Sequence, residues 1–136
     1  MRRNEILLDT HIILWAILKD KRLTNKISDY LLNPDNSIYY SIASMWEVQI
    51  KHSLGKLPIS GKEFMHFCEM SGYHKLPVDD IHVMELESLK RDESAPPHTD
   101  PFDRIMLSQA IAEGFTFLTH DPLFRGYNER CVVEDD

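Results

Sequence analysis

The segment His98-Thr99-Asp100-Pro101-Phe102-Asp103-Arg104 decides how this sequence folds, because it has the features of a helix start. Asp100 is suited to accept hydrogen bonds from free amides at the N-cap, Pro101 suits the first helical position, and Asp103 falls in the first turn. Apolar side chains then recur at helical spacing, at Phe102, Ile105, Met106 and Ala110.

Acids also stand where predicted strands give way to helices. The apolar run 115–119 predicts a short strand, and Asp121 follows it closely; the run 5–8 predicts a buried strand, and Asp9 follows it directly. Strands that alternate with helices predict a parallel sheet with right-handed crossovers and helices on both faces. The carboxyl ends of such strands share one edge of the sheet, where ligands bind.

The remaining segments continue this alternation. Helices are predicted over 10–18, 24–32, 44–54, within 58–72 and over 79–89, and strands over 37–40, within 73–78 and over 131–133. We expect the acidic tail 134–136 to be solvated. We also expect four aromatic side chains to pack in the core: Trp15, Tyr39, Tyr40 and Trp46.

Length and composition limit the class of protein. With 136 residues, 43% of them hydrophobic, the chain is long enough for one domain spanning 1–136 with a substantial core. The formal charge of −7 argues against nucleic-acid binding through a broadly basic surface. The two cysteines form no metal-binding or disulfide pattern, and the apolar stretch 6–18 is interrupted by polar residues. We therefore expect a cytoplasmic protein without a membrane anchor.

The junction acids have two interpretations. Each one alone is explained as a helix cap, and Ser44 with Glu47 has the spacing of a capping box, with Lys51 four residues further on. Caps are satisfied equally well by Ser, Thr or Asn, however, and several carboxylates at one edge repel one another unless a cation lies among them. Oxygen ligands favour Mg²⁺ or Mn²⁺, which activates water and binds phosphodiester oxygens during hydrolysis.

Four segments occur in order over nearly the whole chain: residues 7–15 with Asp9-Thr10-His11, residues 41–47 ending in Trp46-Glu47, residues 100–110, and Thr119-His120-Asp121. Through these segments the sequence resembles the PIN-domain ribonucleases, and among them the VapC-type toxins of toxin–antitoxin pairs. The resemblance implies a three-layer α/β/α fold whose five-stranded parallel sheet has the order 3-2-1-4-5.

The resemblance also implies a function. It is that of a Mg²⁺- or Mn²⁺-dependent endoribonuclease with one or two ions, held as a homodimer and inhibited by a cognate antitoxin protein. Asp9, Glu47, Asp103 and Asp121 would form the metal site. Asp100 is either a further member or only a cap. Thr10 and Thr119 would hydrogen-bond the ligating acids, and the candidates for contact with RNA phosphates are Arg104, Lys51 and Arg125.

Two alternatives stay open at this point. The acids of a non-catalytic binding module would act only as caps. A phosphatase would use Asp9 as phospho-acceptor, although its usual pattern has a second Asp two residues later, where this chain has His11. The seven histidines show no ligand spacing, so we expect surface or packing roles for His11 and His120.

Overall fold

The structure is a computed structural model that describes residues 4–135. Its five described strands form one sheet in the order β3-β2-β1-β4-β5, and each neighbouring pair is parallel. The predicted sheet is therefore confirmed. The strands are β1 (Asn4–Leu8), β2 (Asn36–Ser41), β3 (His74–Leu76), β4 (Thr116–Thr119) and β5 (Val132–Glu134).

Six α-helices connect the strands, and polar side chains cap the first turns of several of them. The hydroxyl of Thr24 accepts a hydrogen bond from the Ile27 amide at the second helix, and Ser60 forms a capping box with Glu63 at the fourth. The helices are α1 (Thr10–Leu18), α2 (Asn25–Leu32), α3 (Ile42–Ser53), α4 (Gly61–Met70), α5 (Asp80–Glu85) and α6 (Pro101–Glu113), with 3₁₀ turns at Leu86–Ser88 and Pro122–Tyr127.

The sheet has a hydrophobic core on each face, as expected for a three-layer α/β/α protein. Side chains of β1 alternate between the two, so that Ile6 and Leu8 pack on one face and Leu7 on the other. The first core includes residues of α1, α2, α3 and α4, and the second includes residues of α6 and the 3₁₀ turn after β4. The helices therefore hold the strand ends in fixed positions.

Two predicted helix bounds and the predicted exposure of two side chains are wrong. Helix α3 begins at Ile42 rather than Ser44, because Ser41 accepts the hydrogen bond of the Ala43 amide and acts as its cap. Helix α5 ends at Glu85, where the chain tightens into a 3₁₀ turn. Trp46 is 63% exposed instead of packed in the core, and Asp135 is buried rather than solvated. Asp136 lies outside the described residues.

The order of the strands brings distant segments of the chain together. Strand β1 lies between β2 and β4, with Leu8 beside Leu118, so the residues that follow β1 and β4 are neighbours. Hydrogen bonds join the helices that start at this edge: the Ser41 hydroxyl donates to Gln109, and the Thr10 and Ser44 hydroxyls lie 2.7 Å apart. No helix among residues 4–135 is long and apolar enough to cross a membrane.

Candidate metal centre

Asp9 follows β1 directly and is almost completely buried, with 2% of its surface exposed. It occupies the N-cap position of α1, but its side chain accepts no hydrogen bond from that helix, so its carboxylate does not act as a cap. One oxygen, Oδ2, accepts a hydrogen bond from the Thr119 hydroxyl at 2.7 Å. The other oxygen, Oδ1, is buried without a hydrogen-bond partner among the described residues.

Glu47 lies in the second turn of α3 and is 4% exposed. Its Oε2 accepts a hydrogen bond from Lys51 Nζ at 3.1 Å, which is the ion pair that the spacing predicts. Its Oε1 is buried without a partner in the described part of the chain. The predicted capping box with Ser44 is wrong, because Ser44 lies inside the helix. Neither Asp9 nor Glu47 is therefore explained by capping.

Asp100 and Asp121 do act as caps. Oδ1 of Asp100 accepts hydrogen bonds from the amides of Phe102 and Asp103 at the start of α6, at 2.9 and 3.2 Å. Oδ1 of Asp121 accepts from the Leu123 amide at 2.9 Å, at the start of the second 3₁₀ turn. Each of these carboxylates keeps a second oxygen outside its capping bonds.

Asp103 lies one turn into α6 and is bound by a histidine that the sequence did not indicate. Its Oδ2 is 3.0 Å from Nε2 of His98, a residue of the preceding loop that is only 5% exposed. Ligand atoms of His98, Asp103 and Asp121 all lie within 4.8 Å of one another. The sequence gives no helical or metal-binding spacing that links these three residues, because the loop and the strand edge bring them together.

The acids also interact through their charges. Burial, together with the charges of Asp9, Asp100, Glu47 and Asp121, raises the pKa of Asp103 to about 8. Burial, together with the charges of Glu47 and Asp121, raises the pKa of Asp9 to about 6, although the Thr119 hydrogen bond and the charge of His11 oppose the shift. Asp9 and Asp103 therefore interact through their charges with the other predicted ligands.

The two threonines differ in what they contact. The Thr119 hydroxyl donates to Asp9 and accepts from the Asp121 amide at 3.0 Å, so it joins two of the acids. The Thr10 hydroxyl instead contacts Ser44 Oγ and Met106 Sδ, on the helices beneath the edge.

The three candidate cations all have partners within the protein. Lys51 pairs with Glu47, Arg104 donates to the Tyr127 hydroxyl at 3.2 Å, and Arg125 pairs with Glu134. Contact of these cations with RNA stays a prediction.

The rings of the two histidines next to the acids lie near Trp15. The ring centroids of His11 and His120 lie 6.4 and 4.9 Å from that of Trp15. Nδ1 of His120 is 3.4 Å from the buried carboxylate of Asp135.

The stability of the protein without a divalent ion is expected to fall as the pH rises from about 4 to about 8. The pKa values of Asp9 and Asp103 are raised from 3.8, so the folded protein binds protons more tightly than the unfolded chain. This contribution is complete below about pH 4 and is lost as the pH passes about 6 for Asp9 and about 8 for Asp103. Melting temperatures in chelator should therefore decline less steeply between about pH 6 and 9 in Asp103→Asn than in the wild type. Equal slopes would show that Asp103 does not cause the decline.

The donor set fits a divalent ion that prefers oxygen. Two buried carboxylate oxygens, of Asp9 and Glu47, find no hydrogen-bond partner among residues 4–135, and leaving buried charged groups unpaired is costly. The carboxylates of Asp103 and Asp121 complete a group of four acids, which is the chemistry that Mg²⁺ and Mn²⁺ favour.

The fold and this edge define an α/β/α protein with an acidic site at the carboxyl ends of its parallel strands. The family model of the PIN domain matches residues 6–129. The chain therefore belongs to the PIN-domain family, whose members are generally nucleases. No curated protein matches the sequence.

Solved structures with the same fold come from toxin–antitoxin complexes. The chain is 19% identical to a chain in the DNA-bound VapBC2 structure from Rickettsia felis, covering 96% of this chain and 97% of that one, with a TM-score of 0.67. It is 15% identical to a chain in DNA-bound VapBC from Salmonella typhimurium, with 98% of both chains covered and a TM-score of 0.68. It is 19% identical to a chain in FitAcB from Neisseria gonorrhoeae, covering 95% of this chain and 96% of that one, with a TM-score of 0.62. These similarities show the fold.

Proposed function

We propose that this chain is a metal-dependent endoribonuclease that hydrolyses RNA phosphodiester bonds. The observation that carries the proposal is that one buried carboxylate oxygen of Asp9 and one of Glu47 have no hydrogen-bond partner in the part of the chain that the structure describes. They belong to the same group of interacting acids as Asp103 and Asp121. We propose these four acids as the ligands of one or two Mg²⁺ or Mn²⁺ ions.

A bound divalent ion would supply an activated water and neutralise the charge on the phosphate. The protein's own residues hold the carboxylates in place for this chemistry. The Thr119 hydroxyl orients Asp9, and Lys51 holds one oxygen of Glu47. In this hydrolysis a water would attack phosphorus and one bridging P–O bond would break, with the leaving oxygen taking up a proton. No covalent enzyme nucleophile is needed, and the ribose 2′-hydroxyl does not have to react.

We also propose that the protein is the toxin of a toxin–antitoxin pair. The similar solved structures are described as VapBC or FitAcB complexes, which supports a cognate antitoxin as partner. From its membership in the PIN-domain family we also propose a cytoplasmic homodimer whose residues 1–136 form a single nuclease domain.

A non-catalytic binding module is the second candidate, and one observation favours it. Asp100 and Asp121 both accept hydrogen bonds from helix amides, as acids that serve only as caps would do. Asp9 and Glu47 do not cap a helix, and this difference favours the nuclease.

Cleavage of structured RNAs with Mn²⁺ and with chelator separates the two candidates. The nuclease should cut at least one RNA only when the ion is present. Because water attacks, replacing the ribose at the cleavage site by 2′-deoxyribose should leave the cut in place, and no 2′,3′-cyclic phosphate should form. Loss of cleavage in the 2′-deoxy substrate would contradict the metal-activated water, and unchanged RNA across the panel would favour the binding module.

A further inference from the structure

A chain of hydrogen bonds links Arg104, Tyr127 and His98 to the carboxylate of Asp103. Arg104 Nη1 lies 3.2 Å from the Tyr127 hydroxyl, and that hydroxyl lies 2.7 Å from Nδ1 of His98. Nε2 of His98 then lies 3.0 Å from Oδ2 of Asp103. The chain joins residues of α6, of the loop before it and of the 3₁₀ turn after β4.

The chemistry of these groups gives the bonds one direction. The carboxylate of Asp103 is ionised when it binds an ion and can only accept, so Nε2 of His98 donates to it. Nδ1 of the neutral imidazole then accepts from the Tyr127 hydroxyl. The Tyr127 oxygen in turn accepts from Arg104, because a guanidinium only donates.

Packing fixes the histidine ring in this orientation. The side chains of His98 and Tyr127 are buried, and the His98 ring lies edge-on to Phe124 with centroids 5.0 Å apart. The Arg91 guanidinium lies over the Tyr127 ring, 4.7 Å from its centre. Rotation of the imidazole would leave buried polar groups without partners, which is costly.

We propose that His98 is a positioning residue that holds the carboxylate of Asp103 in the orientation that metal binding requires. This inference rests on the proposed function. By holding Oδ2, His98 leaves Oδ1 of Asp103 for an ion. Groups that orient ligating carboxylates commonly change metal affinity by about 10- to 100-fold when they are removed.

Direct ligation of the ion by His98 is the competing role. Nε2 is close enough to Asp103 and Asp121 for the three residues to share an ion. Ligation through Nε2 would require its proton to move to Nδ1, and the Tyr127 proton would then lose its acceptor. The hydrogen-bond chain therefore favours positioning.

Three variants test the role. His98→Ala removes the donor, His98→Gln places an amide N–H near the position of Nε2, and Tyr127→Phe removes only the hydroxyl that orients the ring. His82→Ala is the matched control, because His82 is also fully buried and its Nε2 lies 2.9 Å from Glu113. Glu113 is ten residues after Asp103 on α6, about 15 Å along the helix.

The readouts are the Mn²⁺ dissociation constant of each folded variant by calorimetry and the Mn²⁺ electron spin echo spectrum. We expect the dissociation constant to rise about 10- to 100-fold in His98→Ala and less in Tyr127→Phe. His98→Gln should recover most of the affinity, and His82→Ala should lose stability without a change in affinity. The spectrum of the wild type should show no directly bound nitrogen.

The results that would overturn the inference are distinct. Wild-type affinity in a folded His98→Ala would show that the histidine does not affect the site. A ¹⁴N signal that disappears in His98→Ala would make His98 a ligand. If His82→Ala lost as much Mn²⁺ affinity as His98→Ala, the loss would reflect general destabilisation of the protein and not a role of His98. Absence of Mn²⁺ binding by the wild type itself would instead contradict the proposed function.

Discussion

Asp9→Asn is expected to abolish RNA cleavage while the protein stays folded. The amide keeps an oxygen that can accept the Thr119 hydrogen bond but loses the charge that an ion needs. Because a catalytic metal contributes several kcal/mol to the transition state, cleavage should fall by roughly a thousandfold or more. Initial rates with Mn²⁺ measure this loss, and circular dichroism checks the fold.

A matched control shows whether the loss of cleavage is specific to the acidic site or follows from removing any one negative charge. Asp35 is exposed in the turn before β2, and Asp35→Asn makes the same chemical change away from the acidic edge. It should cleave RNA at the wild-type rate. If Asp9→Asn also cleaves at that rate, Asp9 is not a metal ligand, and its burial has another cause.

Asp103→Asn and Asp100→Asn should give opposite results, although the two residues lie on the same turn. Asp103 has no capping role and contacts His98, whereas Asp100 caps α6. Asn caps about as well as Asp, so Asp100→Asn should keep most of the activity. Asp103→Asn should lose it to the same extent as Asp9→Asn. Cleavage rates at saturating Mn²⁺ provide the comparison.

Equal losses in both variants would place Asp100 among the metal ligands. The melting temperature serves as the control, because an Asp100→Asn protein that unfolds easily would lose activity for a different reason. Asp100→Ser provides a second capping residue for that case. Its activity should match that of Asp100→Asn if capping is the only role of Asp100.

Local signals in the sequence predict the helix starts and the sheet well. Asp100 and Pro101 are adjacent in the sequence, and the cap that they form needs only the amides of the next residues. The strand 5–8 and the acid after it are also local, so the position of Asp9 at the sheet edge follows from the order of the elements.

Features that depend on distant residues were not predicted. The ring of His98 is oriented by the hydroxyl of Tyr127, which is 29 residues further along the chain. Asp135 is buried because its carboxylate accepts a hydrogen bond from Thr24, 111 residues earlier. The spacing of Ser44 and Glu47 gave the wrong role for Glu47, because the cap of α3 lies three residues earlier. Tertiary contacts decide the first two features, whereas the third is a local choice of Ser41 over Ser44 as the cap.

The thermal stability of the protein with Mn²⁺ and with chelator tests the central claim most directly, because a ligand that binds only the folded state must stabilise it. At about pH 8 and an ion concentration 100 times the dissociation constant, the gain is about 2.7 kcal/mol, or roughly 10 °C for a chain of this size. The gain should shrink strongly in Asp9→Asn and Asp103→Asn and stay intact in Asp35→Asn. In chelator, Asp9→Asn should melt no lower than the wild type, because it removes a repelling charge. A wild-type melting temperature that does not respond to Mn²⁺ would contradict the metal site.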